Sequence, residues 1–230
     1  MSDSPVAVEQ AHGPELLHHF ADPEQQRAAA SLGMWLFLAT EIMFFGGMFC
    51  AYLVYRRWYF AEFAASSRTL DIWLGTINTI VLICSSLTVA LGVRAAQMGK
   101  RKLLVVLLIL TLIFGLAFLG IKGKEWSDKF HEHHIPGPQF DAGEIQLNGH
   151  PVDARSAQIF FSLYFAMTGM HALHMIIGIV ILGFMIMRAR AGAYTNGHVT
   201  FVENFGLYWH FVDIIWIFLF PLLYLISRHQ

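Results

Sequence analysis

The sequence predicts an all-α integral membrane protein, five transmembrane helices in a bundle, and three observations carry that expectation. Five stretches are almost free of Lys, Arg, Asp and Glu, and each is long enough for a helix to cross the hydrocarbon core, which takes about 20 apolar residues. Hydrophobic residues make up 56% of the 230 and charged residues only 13%, too little polar surface for a water-soluble domain. Twenty phenylalanines and six tryptophans suit apolar packing and interfacial anchoring. The net charge of -1 argues against a nucleic-acid partner.

Residues 1–30 are polar and rather acidic, with Asp3, Glu9, Glu15, Asp22 and Glu24. They lack the basic flank and apolar core of a signal peptide and read as a cytoplasmic N-terminal segment that is not cleaved. The membrane domain covers 31–226, with spans at about 31–54, 72–93, 103–121, 156–187 and 204–226. At 1.5 Å per residue the fourth is about 45 Å long, so it must tilt or project from the bilayer. Pro221 is expected to bend the fifth near its exit. Segments 55–70 and 188–203 read as loops, 94–102 as a tight basic turn and 122–155 as a polar external loop. Cys50 and Cys84 fall in different spans at different depths, which favours packed thiols over a disulfide.

Five spans put the termini on opposite faces, and the basic residues divide seven against eight between the two sets of loops. Short loops weigh most in the positive-inside rule, and Arg94, Lys100, Arg101 and Lys102 crowd one tight turn with no acid. That turn and the N-terminus are therefore assigned to the cytoplasm, with the C-terminus and the 122–155 loop on the periplasmic side.

Glu41 stands near the middle of the first span, with Arg27 and Arg56 the nearest other formal charges. An ionised side chain at that depth costs roughly 2.5–3.5 kcal/mol, and its usual escapes are protonation, a polar partner or a water-lined cavity. The other polar features at membrane depth are Asn78-Thr79, Ser85-Ser86, His171 with His174, His210 and Asp213. His171 and His174 are three apart, as are His210 and Asp213, so each pair shares a helix face. Counted from the cytoplasmic end, Glu41 lies about ten residues in, Asp213 about nine and His174 about thirteen, which permits a common polar layer. That layer either joins the helices by hydrogen bonds or exchanges protons.

The imidazoles admit other chemistry. His171 or His174 opposite His210 would be the axial ligands of a b-type membrane cytochrome. His131, His133 and His134, beside Glu132 in Lys129-Phe-His-Glu-His-His-Ile-Pro-Gly-Pro138, match no zinc framework and read as a Pro-Gly-bounded loop available for docking a partner. No nucleophile constellation and no phosphate-cradling glycine loop is present in the sequence. Trp209, Asp213 and Trp216 form one helical stripe in an aromatic-rich entry to the last span.

That last segment, Tyr208-Trp-His-Phe-Val-Asp-Ile-Ile-Trp-Ile-Phe-Leu-Phe220, resembles the closing motif of subunit III of the haem-copper oxidases. Three blocks match the same family in order: Gly33-Met-Trp-Leu-Phe-Leu-Ala-Thr-Glu-Ile-Met-Phe-Phe-Gly-Gly47, Asn78-Thr79, and Phe161 through Gly178 with its core Thr168-Gly-Met-His-Ala-Leu-His174. Glu125-Trp126 is similar to the Glu-aromatic pair that ends one of the family's helices. The chain begins at what would be the third helix of the seven-helix form, so it resembles the short five-helix bacterial form, and the His-rich loop lies outside the shared pattern.

The resemblance implies an accessory subunit III of a respiratory terminal oxidase, a cytochrome c oxidase, in a bacterial inner membrane. Such a subunit has no redox centre of its own; haem and copper reside in partner subunits. Subunits I and II and membrane lipids are the implied partners, with bound phospholipid and a larger respiratory supercomplex left open. In that family the carboxylate matching Glu41 is the site of carbodiimide modification, and the subunit sustains proton uptake and protects the catalytic centre during turnover. Carried over, Glu41 is the functional buried carboxylate, and Asn78, His171, His174, His210 and Asp213 are packing or polar-network residues. The alternatives are subunit III of a quinol oxidase or a nitric oxide reductase accessory protein, then the b-type cytochrome, then a proton-coupled transporter built around Glu41.

Overall fold

The start of each of three helices is set by an aspartate. The carboxylates of Asp22, Asp71 and Asp153 accept hydrogen bonds from the amides of Gln25 (2.7 Å), Trp73 (2.8 Å) and Ser156 (3.1 Å), satisfying donors that a helix leaves free in its first turn. In the computed structural model, which describes residues 20–137, 140, 143, 145–147, 150–194 and 199–226, these caps open α1 (Pro23–Trp58), α3 (Ile72–Gln97) and α5 (Ala154–Arg190). The other helices are α2 (Phe60–Ser67), α4 (Arg101–His131) and α6 (Thr200–Tyr224). Gln146–Leu147 and His150–Pro151 make a two-residue antiparallel bridge.

Five of these helices, all but α2, are long and apolar enough to cross a membrane, so the protein is a multi-pass membrane protein of the predicted class. Three helix ends share one chemistry. Gly99 (φ 66°), His133 (φ 53°) and Gly192 (φ 89°) take the left-handed conformation, and the amides of Lys100, His134 and Ala193 return to the carbonyls of Ala95, Lys129 and Arg188. Those are the bonds of a Schellman stop. The Nε of Arg101 then donates to Ala189 O at 3.1 Å, placing a cation at the negative end of α5.

The helices extend beyond the apolar runs. α1 starts at Pro23, α2 and the end of α1 occupy most of 55–70, and α4 continues ten residues into the polar 122–155 segment. The physical reason in α4 is continuity of its buried stripe. Thr111, Gly115, Phe118, Lys122, Glu125 and Lys129 are all buried, at alternating four- and three-residue steps that keep one face inward. α2 and the later part of α1 are held under the end of α6: Ser67 Oγ of α2 donates to Leu223 O and Tyr52 Oη of α1 to Leu222 O, both at 2.7 Å. Those carbonyls belong to the last turn of α6 and lack partners within the helix.

α6 is the most enclosed span and α1 the most exposed. α6 packs against α1, α3 and α5, while α3 and α4 form a close antiparallel pair. Trp209 of α6 fits because glycines face it. A Cβ on Gly178 would come 2.9 Å from its ring, and one on Gly115 3.1 Å, so any side chain there would displace the indole. Cys50 and Cys84 are free, as expected, but both lie exposed on helix surfaces rather than packed inside.

Candidate functional site

Glu41 finds its partner on another helix. Its Oε2 lies 3.2 Å from Nε2 of His174, joining α1 to α5 across 133 residues of sequence. The other ring nitrogen, Nδ1, sits 2.8 Å from Met170 O. A carbonyl only accepts, so Nδ1 must carry a hydrogen. The proton count follows. Either Nε2 is unprotonated and Glu41 donates as a carboxylic acid, or the ring is an imidazolium and Glu41 accepts as a carboxylate. In both cases the pair holds one exchangeable proton and no net charge, which removes the cost of a lone ion at this depth.

The surroundings fix this geometry. Tyr208 Oη donates to His174 O at 2.8 Å, and Phe45 meets the imidazole edge-on, ring centres 5.3 Å apart. Glu41 keeps 19% of its side chain exposed and His174 10%, and the exposed part faces a groove of about 530 Å³. Met34, Ile181, Phe201 and Asn204 line its other end. Those residues lie at the start of α1, the end of α5 and the start of α6, so the groove leads from the Glu41–His174 pair toward the Arg94–Lys102 end of the bundle.

The remaining predicted network residues do not join this pair through any hydrogen bond. His210 Nδ1 is 2.7 Å from Ser86 Oγ, on the α3 side of α6. Asn78, His171 and Asp213 are buried, and their side-chain polar atoms have no hydrogen-bond partner among the described residues. His171 lies instead among rings, 5.3 Å from both Phe118 and Trp216. His171 and His174 therefore serve different surroundings although they share a helix. With both of its nitrogens engaged, His174 is not free to face His210 across an iron. No group of three or more His, Cys, Asp or Glu side chains among the described residues is placed to hold a metal ion.

At the opposite end a second polar cluster ties α4, α5 and α6. Lys122 Nζ donates to Glu125 Oε2 (3.1 Å), Tyr164 Oη (3.2 Å) and Tyr224 Oη (2.5 Å). Tyr164 donates to Glu125 Oε1 at 2.7 Å, and Tyr224 bonds the same oxygen. The ammonium also lies 4.9 Å from the centre of the Trp216 ring, a cation–π distance. Placing Lys122 and Glu125 in a loop concealed this cluster; their i, i+3 spacing on the apolar stripe was the available signal.

The docking-loop histidines separate. His131 and His133 are exposed, whereas His134 is buried, stacked on Phe161 at 5.0 Å and 10°. Its Nδ1 lies 3.0 Å from Glu132, which also bonds Lys129 Nζ at 2.5 Å. Lys129 in turn donates to Thr69 O at 2.8 Å. His134 is thus packed inside the chain, and His131 and His133 keep the exposed imidazoles of the segment.

Five spanning helices, with a carboxylate–imidazole pair joining the first to α5, define a polytopic membrane protein. Residues 152–228 match the family of cytochrome c oxidase subunit III. A probable cytochrome c oxidase subunit 3 of Nocardia farcinica is 31% identical over 196 residues, 85% of this chain and 87% of that one. Cytochrome c oxidase subunit 3 of Thermostichus vulcanus is 32% identical over 198 residues, covering 86% and 87%. A probable quinol oxidase subunit 3 of Staphylococcus saprophyticus is 26% identical, covering 85% and 88%. The chain belongs to the cytochrome c oxidase subunit III family.

Proposed function

We propose that this chain is the accessory third subunit of a haem-copper terminal oxidase, a cytochrome c oxidase of the bacterial inner membrane. In this reading it packs against subunits I and II, which hold the haem and copper and reduce oxygen to water. Its own contribution is protonic. The observation that carries the reading is the Glu41–His174 pair at the head of a groove leading toward the Arg94–Lys102 end, the end assigned to the cytoplasm by its cluster of cations. Release of the shared proton leaves the pair with one negative charge, which the partly exposed carboxyl presents to the groove, and uptake from that side restores neutrality.

The test is Glu41→Gln in the purified, vesicle-reconstituted complex. The amide fits the same space and still meets His174, so assembly is expected to persist. Proton uptake is expected to slow, and the complex to inactivate after fewer turnovers. Unchanged uptake and durability would remove Glu41 from the mechanism. The haem spectrum of the same preparation, and its oxidation of reduced cytochrome c or of quinol, identifies the electron donor.

A further inference from the structure

We propose that Phe45 and Tyr52 of α1 are the two layers of an aromatic plug, which closes the seam of α1 beyond Glu41 and leaves the Glu41–His174 pair open at the Arg94–Lys102 end alone. The inference rests on the proton-exchange reading above and adds to it the residues that set the side of access. The buried residues of α1 are Leu38, Phe45 and Tyr52, spaced seven apart, as along one narrow seam of a helix. α1 is otherwise the most exposed span. What lies on that seam therefore decides from which end a proton reaches Glu41.

On the N-terminal side of Glu41 the seam is parted, and Met34 and Phe37 face α5 and α6 across the groove. One turn the other way it is shut. Phe45 is 1% exposed, with its ring centre 5.3 Å from the His174 imidazole of α5 and 6.1 Å from the Phe211 ring of α6. Two turns further, about 10 Å along the axis, Tyr52 is fully buried and lies 6.4 Å from Phe160 of α5 and 5.5 Å from Phe63 of α2. Its hydroxyl is engaged by Leu222 O of α6, so α1, α2, α5 and α6 all close on this one ring. A proton moves through a membrane protein along ionisable side chains or water, and the Phe45 ring supplies neither. The titratable groups that face Glu41 among the described residues are His174 from α5 and Tyr208 from α6, and both line the groove.

Packing alone would be served by any apolar side chain of similar size, whereas a plug shows itself as sidedness. The experiment uses the intact complex in vesicles of one orientation. The pH is stepped down on one side at a time, with the other side strongly buffered. Infrared spectroscopy follows the carboxyl and carboxylate bands of Glu41, identified as those that Glu41→Gln removes. In the wild type these bands are expected to respond to a step on the Arg94–Lys102 side and not to one on the far side. Phe45→Ala is expected to lose that sidedness and respond to both. Phe45→Gln, which fills most of the space but brings hydrogen-bonding groups, makes the same test should the alanine variant not assemble. Phe45→Leu and Tyr52→Phe keep apolar layers and are expected to remain one-sided. A wild type that responds from the far side, or Phe45→Ala and Phe45→Gln variants that stay one-sided, would overturn the plug while the proton-exchange reading stands. Bands that move with neither step in any variant would overturn that reading and the plug with it.

Discussion

His174 shows how much one hydrogen bond decides. Because Met170 O fixes the hydrogen on Nδ1, the proton between Nε2 and Glu41 becomes the only variable of the pair. The sequence placed both residues at similar depth but could not pair them, since depth alone does not say which way each helix is turned. Glu132 makes a comparable point outside the membrane. Burial by itself would push its carboxyl up, but the hydrogen bond and charge of Lys129, with His134 adding to them, hold it below the usual carboxylate range. A carboxylate depressed in the folded state adds stability that is present above its unfolded value and is lost as pH falls through the folded one. Thermal scans from neutral pH into acid should therefore show the wild type losing its advantage over Glu132→Gln as the carboxylate range is crossed. Parallel curves would count against the contribution.

At the scale of elements, α4 is the instructive case. Charge counting ends it at about residue 121, and the helix runs to His131, because Lys122, Glu125 and Lys129 continue the inward stripe as a polar stretch rather than leaving it. The apolar cores of all five spans were legible, because membrane solvation demands long runs of that kind. The polar ends were not, because their burial depends on α5 and α6 arriving from elsewhere in the chain. The Lys122–Glu125 pair gives a measurable consequence. Both side chains are 3% exposed, so removing one partner strands a buried charge at a cost of about 3–5 kcal/mol. Glu125→Gln is expected to lower the unfolding midpoint strongly. The double change Lys122→Met with Glu125→Gln, which strands no ion, should recover part of the loss, and additive losses would contradict the coupling.

For the molecule as a whole, the arrangement of cations makes a prediction about sidedness. Met98, in the turn after α3, is 48% exposed, and a Met98→Cys variant offers a thiol there. A membrane-impermeant maleimide should reach it only from the cytoplasmic face, in inverted vesicles and not in whole cells. Labelling in whole cells would invert the assignment and with it the direction of proton uptake. Cys50 and Cys84, exposed on membrane-spanning helices, lie where such a reagent does not go.

Helix length has a consequence for the bilayer itself. α5 has 37 residues and α4 has 31, about 55 and 46 Å at 1.5 Å per residue, against a hydrocarbon core of about 30 Å. Lys122 lies 21 residues beyond Arg101, about 30 Å along the same axis. The Lys122–Glu125 cluster therefore stands at headgroup level, on a rigid pedestal that α4 and α5 raise above the hydrocarbon. A change in membrane thickness meets a stiff post at that end, and the loosely enclosed α1 is left to take up the mismatch by tilting.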